Sequence, residues 1–223
     1  MSDFRIDIIL YYIPLLLKGT LLTIGVSIVS ICLGSILGLI VGFGRMSRHA
    51  YLRLPAACYI NFFRGTPLLV QILLVHFGVV PLLIDRTDVL FAAILSLTLN
   101  SAGYSAEIFR AGIQSVERGQ SEAALSLGMT RQQTMRYIIL PQAIKRMIPA
   151  FGNEFIVLIK DSSLLTIIAA KELMYYANLM RGQYLRIWEP YLTAAIIYLI
   201  LTYTLSKLLN WWERRMNQSG ESH

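Results

Sequence analysis

Polar and ionisable side chains stand inside runs otherwise too apolar for water, and their spacing shows where chemistry could be done. In residues 89–109, Ser96, Asn100, Gly103 and Glu107 recur at helical intervals on one stripe, with Tyr104 beside it. Further along, Lys160, Asp161, Ser162 and Ser163 follow one another directly. Such groups can hold a small polar molecule, relay a proton or attack a bond. Ser162 and Ser163 beside Lys160 and Asp161 hint at an intramembrane hydrolase, but no histidine or second motif completes such a site. Midplane carboxylates also suit an ion-gradient-driven secondary transporter, usually a longer chain with an inverted repeat, and no repeat is found here. Structural roles compete with all of these. Glu107 has Arg110 one turn later, Asp161 has Lys160 or Lys171, and Asn100 serves as interhelical glue worth under about 1 kcal/mol. Ionisable residues inside a membrane are nonetheless functional candidates by default.

The elements that must position these groups follow from hydropathy. The 223-residue chain is 56% hydrophobic and only 15% charged, with mean hydropathy +0.58. A soluble domain carries roughly a quarter charged residues. Residues 19–44 and 65–84 contain no charged side chain, and each matches or exceeds the roughly 20 apolar residues needed to cross a hydrocarbon core. The expected fold is all-α: a polytopic integral membrane protein with five transmembrane helices near 13–43, 66–84, 89–109, 143–168 and 189–209. Thr66 before Pro67 reads as the cap and first turn of the second. The fourth is interrupted by Pro149, Gly152, Asn153, Glu154, Lys160 and Asp161, so it should face protein or a water-filled cavity. The first carries Ser30, Gly34, Gly38 and Gly42, a face for close packing within the subunit or across a dimer. The N-terminus does not read as a cleaved signal peptide. Cys32 and Cys58 lack metal spacing and read as apolar filler. His76 reads as a hydrogen-bonded packing residue, and Trp188, Trp211 and Trp212 as interfacial aromatics.

Lysine and arginine set the orientation. Loops 45–64 and 110–146 and the segment after 207 hold thirteen, against six on the opposite side. The N-terminus is therefore expected outside and the C-terminus inside. The same bias accounts for the +7 net charge without a nucleic-acid partner. One transmembrane domain over 1–215 is expected, with a cytoplasmic loop at about 111–142 and a polar, disordered tail at 216–223.

That loop is specific in its own right. Glu122 to Leu127 are good helix formers, and Gly128 suits a left-handed helix end. Thr130 with Gln133 makes a capping box for a second helix, expected to stop before Pro141. The result is a compact knob, or else an amphipathic pair lying on the membrane surface.

The spacing Glu122-Ala123-Ala124, then Gly128, then Ile138, Leu140 and Pro141 resembles the signature of permease subunits of bacterial ATP-binding-cassette importers. Residues 63–71, 100–108 and 160–164 resemble the polar amino-acid subfamily, and the resemblance extends over most of residues 13–210. It implies that Glu122, Ala123, Ala124, Gly128, Leu140 and Pro141 form a coupling helix seated on a separate ATPase. It also implies two such ATPase subunits, a second permease copy or homologue, an extracytoplasmic amino-acid-binding protein, and a bacterial cytoplasmic (inner) membrane location. ATP and magnesium belong to the partner ATPases and no cofactor to this chain, which has no phosphate-cradling G-x-x-x-x-G-K-[ST] pattern. An amino acid needs a carboxylate for its ammonium and hydroxyl or amide donors for its carboxylate. On this reading Asn100, Tyr104, Glu107, Asp161, Ser162 and Ser163 are the substrate-binding candidates, and their acidic members suit a cationic substrate.

Overall fold

Small residues decide the central contact of the molecule. In the computed structural model, which describes residues 4–218, α1 (Ile6–Met46) buries Thr23, Ser27, Ser30, Gly34, Gly38 and Gly42 along one face. That face lies on α4 (Val89–Gln114). A Cβ on Gly34 would stand 2.9 Å from the Ser101 Cβ, and one on Gly38 only 2.5 Å from the Ser105 Cβ and 2.9 Å from the Ala102 carbonyl oxygen. The small-residue face therefore packs within the subunit. Ser30 adds a hydroxyl donation to the Ile94 carbonyl at 3.3 Å.

α1 begins at Ile6 rather than near residue 13, with an Arg5–Asp7 ion pair at its start. The physical reason is packing beyond the bilayer requirement. Ile8, Tyr12 and Leu16 are buried against Leu173, Tyr176 and Met180 of α7 (Leu173–Tyr184) and against Ala194. Its 41 residues measure about 60 Å, roughly twice the hydrocarbon thickness.

The loop expected after α1 contains a helix, α2 (Ala50–Gly65), which meets α3 (Leu68–Ile84) at 111°. Thr66 does not cap α3 as expected. Its hydroxyl instead donates back to the Phe62 carbonyl at 2.7 Å and accepts from Gln71 Nε2 at 2.9 Å. α3 widens into a π turn at Val75–Val79, just before Pro81. The same device recurs at Met135–Ile139, just before Pro141. A proline lacks an N–H and its ring crowds the carbonyl four residues back. The wider turn moves that carbonyl aside. The helix after Thr130 consequently does not stop before Pro141. It passes from Arg131–Thr134 through the π turn into α6 (Leu140–Asp161).

Between α4 and α6 lies the knob. α5 (Arg118–Ser126) ends in a Schellman motif at Gly128, whose φ is +82°. The Met129 N–H bonds the Ala124 carbonyl at 3.1 Å and the Gly128 N–H that of Leu125 at 3.0 Å. The expected capping box is present: Gln133 N donates to Thr130 Oγ1 at 3.3 Å and Thr130 N to Gln133 Oε1 at 2.8 Å.

α6 continues as a 3-10 turn, Ser162–Ile168, rather than as one helix to 168. Ala169 at φ 59° ends it, and Glu172 caps α7 by accepting from Met174 and Tyr175 N–H, both at 2.7 Å. α8 (Trp188–Gln218) runs past the expected 209 and into the segment expected to be disordered. Residues 219–223 lie outside the described residues. By length and composition α1, α4 and α8 suffice to cross a membrane, and the bent α2–α3 pair makes a fourth if it is counted as one broken span. The expected span 143–168 is not among them, because Lys145, Arg146, Asn153, Glu154, Lys160 and Asp161 keep it amphipathic.

Candidate functional site

Gly65 to Pro67 break the chain between α2 and α3, and a polar knot holds that break in place. Asn100 on α4 donates from Nδ2 to Gln71 Oε1 at 2.9 Å and to the Phe63 carbonyl at 3.3 Å. Gln71 Nε2 donates to the Phe63 carbonyl at 2.9 Å and the Thr66 carbonyl at 3.1 Å. Gln71 is 2% exposed and Asn100 7%, so each amide is committed to the knot. What the knot fixes is the end of α2, where Arg64 projects.

Arg64 lies over the Tyr104 ring, its guanidinium carbon 5.4 Å from the centroid. Its Nη1 is 3.6 Å from Glu107 Oε2. Glu107 is held more closely by Arg110, with Nη2 at 2.8 Å and Nε at 3.1 Å from both oxygens. The pairing with Arg110 expected as an alternative role for Glu107 is thus present.

These groups form one wall of a cavity of about 570 Å³ whose other wall is α6. Arg64, Tyr104 and Glu107 stand on the first wall, Asn153 and Glu154 on the second. Close approach of the two walls depends on Gly112, where a Cβ would meet Met147 Cγ at 2.3 Å. Ser115 and Arg146 line the cavity at the end that carries the knob, and the Arg146 guanidinium donates to the Ser115 carbonyl there.

Glu154 is the unusual member. It is 8% exposed, and no salt bridge among the described residues engages it. Ser101, Asp161 and Arg64 lie within its electrostatic reach. A buried carboxylate without a paired cation is costly, so a cationic group entering the cavity gains a partner there. Arg64 and Tyr104 opposite supply a cation and a hydroxyl for an anionic end. Together the walls suit a small zwitterion.

The structure brings together Tyr104 and Glu107 from the predicted site residues and adds Arg64, Asn153 and Glu154. Asn100 sits in the knot behind the wall. Asp161, Ser162 and Ser163 do not line the cavity. Ser162 is fully buried and donates to the Ile159 carbonyl at 2.8 Å. Asp161, at the far end of α6, is half-buried and lies two turns beyond Glu154 on the same helix face. His76, expected to be hydrogen-bonded, is buried with Nδ1 unpartnered and its ring edge-on to Phe77. Cys32 and Cys58 are free thiols, both exposed.

On the knob, Glu122, Ala123 and Gly128 are exposed, as are Leu140 and Pro141 at its exit. Ala124 is 4% exposed and turned inward, so Ala123 alone of the pair reaches the surface. Leu127 projects with 85% of its surface exposed. Among the described residues no cluster of His, Cys, Asp and Glu suits a metal ion.

Residues 30–218 match the family described as the binding-protein-dependent transport system inner membrane component. The glutamine transport system permease protein GlnP of Escherichia coli (strain K12) is 38% identical over 205 residues, covering 92% of this chain and 94% of its own length. The arginine transport system permease protein ArtQ of Bacillus subtilis (strain 168) is 37% identical over 210 residues, covering 93% and 94%. A solved structure described as an amino acid ABC transporter with histidines superposes with a TM-score of 0.90 at 41% identity, over 96% of this chain and 100% of that one. With the helical architecture, the chain is thereby identified as a member of the binding-protein-dependent transport system inner membrane component family, whose relatives here are permease subunits of ATP-binding-cassette amino-acid importers.

Proposed function

We propose that this permease subunit passes a cationic amino acid such as arginine, lysine or histidine through the cavity between α4 and α6. The observation that carries the reading is Glu154, a buried carboxylate without a salt bridge, facing a cavity whose opposite wall holds Arg64 and Tyr104. Glu154 takes the substrate's cationic side chain or ammonium, while Arg64 and Tyr104 take its carboxylate. Asp161, two turns along α6, is the carboxylate met before Glu154 by a substrate arriving from the other side. Relatives named for glutamine and for arginine are equally similar, so selection among amino acids rests on these side chains and on the delivering protein.

The chain spans the bacterial cytoplasmic membrane five times, α6 with its 3-10 extension making the fifth crossing, with the N-terminus outside and the C-terminus inside. α6 is amphipathic because its polar face lines the path. The exposed knob surface of Glu122, Ala123 and Leu127 docks on an ATPase, and two such ATPases act on two permease subunits. ATP and magnesium are bound there, and a binding protein outside the membrane delivers the substrate. The ion-gradient reading is not favoured by the family match.

Reconstitution in proteoliposomes with the cognate ATPase and binding protein tests this. Arginine uptake should require enclosed ATP, resist ionophores, and be inhibited by lysine more than by glutamine. Uptake that collapses with the ion gradient would overturn the coupling reading, and preferential inhibition by glutamine the substrate assignment.

A further inference from the structure

Beside the cavity, sharing Arg64 and Glu107 with it, lies a second cleft whose remaining lining this transport reading does not use. It encloses about 450 Å³ and is lined by Arg45, Asn61, Arg64, Glu107, Arg110 and Gln114, with Met46 and Ile60. Three guanidiniums face one carboxylate, and that carboxylate already bonds Arg110 and lies near Arg64. No salt bridge among the described residues engages Arg45. The cleft thus holds an excess of positive charge with amide donors around it, suited to a phosphate.

At Met46 the cleft meets a groove of the opposite character, about 590 Å³, formed by Ile40, Phe43, Gly44, Leu52, Ile113 and neighbours. Ile40 and Phe43 are 63% and 58% exposed and belong to a helix apolar enough to lie in lipid. From Met46 back to Ile40 is six residues of helix, about 9 Å toward the bilayer interior. The charge sits at the helix end and the apolar channel runs inward from it. That is the polarity of a phospholipid standing in a leaflet.

We propose that an anionic glycerophospholipid binds here, with its phosphate between Arg45, Arg64 and Arg110 and one acyl chain along Ile40, Phe43 and Leu52. Positive charge in loops is required for topology alone, but topology requires neither convergence into one cleft nor an apolar groove continuous with it. Basic pockets between spans are where anionic headgroups are recognised. Met135 and Leu140 at the knob's exit also line the groove, and Arg64 is shared with the transport cavity. The lipid therefore touches both the coupling segment and a cavity wall.

The test is native mass spectrometry of the purified transporter, delipidated and then offered phosphatidylglycerol or phosphatidylcholine in mixed micelles. Arg45→Gln is the informative variant because Arg45 lies outside the transport cavity. Leu52→Asn, at an exposed position, probes the groove. Wild-type protein should retain phosphatidylglycerol over phosphatidylcholine. Arg45→Gln should lower that retention about fivefold, and Leu52→Asn should lower retention of the intact lipid. Millimolar inorganic phosphate should leave the adduct in place. Equal retention of the two lipids, or unchanged retention in Arg45→Gln, would overturn the site. Displacement by inorganic phosphate with no effect of Leu52→Asn would show a free-anion site and overturn the lipid. Because the readout is binding and not uptake, failure here leaves the transport assignment standing, and failure of that assignment leaves this result interpretable.

Discussion

The proposed substrate chemistry of this chain turns on one side chain, Glu154. Charged and buried without a salt bridge, it is stabilised by an arriving cation, and a charge-assisted contact of that kind contributes about 1.5–3 kcal/mol. Glu154→Gln keeps the shape and removes the charge. We expect the KM for arginine to rise by one to two orders of magnitude, with basal ATP hydrolysis by the assembled complex unchanged. Uptake assays beside ATPase assays on the same preparation decide this, and an unaltered KM would remove Glu154 from the site. Asp161→Ala should lower uptake while leaving ATPase assembly intact, and unchanged kinetics would exclude Asp161 from the path. Glu107 is legible in the sequence because it falls on the helical stripe of Ser96, Asn100 and Gly103, and Tyr104 because it stands beside that stripe. Arg64 was hidden among charges that topology already explains. Glu154 was visible as an interruption in an apolar run, but its role depends on a wall contributed by residues some 50 to 90 positions away, which no local spacing encodes. Asn100 was legible as a polar group in a span, and only the bend between α2 and α3 shows that its amide serves Gln71 and Phe63.

At the scale of elements, the seam between α1 and α4 carries the packing. Valine at Gly38 would place its Cβ 2.5 Å from the Ser105 Cβ and 2.9 Å from a backbone carbonyl, and a backbone cannot step aside as a side chain can. Overpacking of this kind costs about 1–3 kcal/mol, so Gly38→Val should lower the Tm of the detergent-solubilised protein by several degrees, whereas Gly25→Val, with nothing within 4 Å of its Cβ position, should not. Gly128→Val would hold a β-branched residue at φ +82°, a strain of about 1–2 kcal/mol that tilts the knob without touching any span. Normal membrane insertion with a reduced ratio of uptake to ATP hydrolysis is the expected result, and an unchanged ratio would count against the knob's angle mattering. The Gly spacing, the capping box and the long apolar runs were all readable, since each is a local rule about one helix. α2, α7 and the two π turns were not. α7 exists because Glu172 caps it and α1 packs on it, and the π turns arise where Pro81 and Pro141 sit inside helices that tertiary contacts keep continuous.

For the whole molecule, the decisive relation is that the cavity proposed for transport and the knob lie at the same end. Arg146 of α6 bonds the Ser115 carbonyl at the base of the knob. The knob is therefore attached to both cavity walls, α4 with Tyr104 and Glu107 on one side and α6 with Glu154 on the other. On the proposed coupling, a partner that pulls the knob would tilt both walls about the cavity, as alternating access driven by an external motor requires. Glu122→Arg reverses an exposed charge on the proposed docking surface while leaving the Schellman turn and the capping box intact. It should abolish substrate-stimulated ATP hydrolysis without lowering the amount of chain in the membrane. The same geometry fixes a test of orientation. With Cys32 and Cys58 replaced by serine, a single cysteine at Leu127 and another at Leu185, both strongly exposed, should differ in access to a membrane-impermeant maleimide. Leu185→Cys should label on intact cells and Leu127→Cys only after the membrane is opened. The reverse pattern would put the knob outside, where no ATP is available, and the coupling mechanism would fail together with the orientation. Equal labelling of both before permeabilisation would mean that one of the assigned spans does not cross, with α6, the least apolar of them, the first to re-examine.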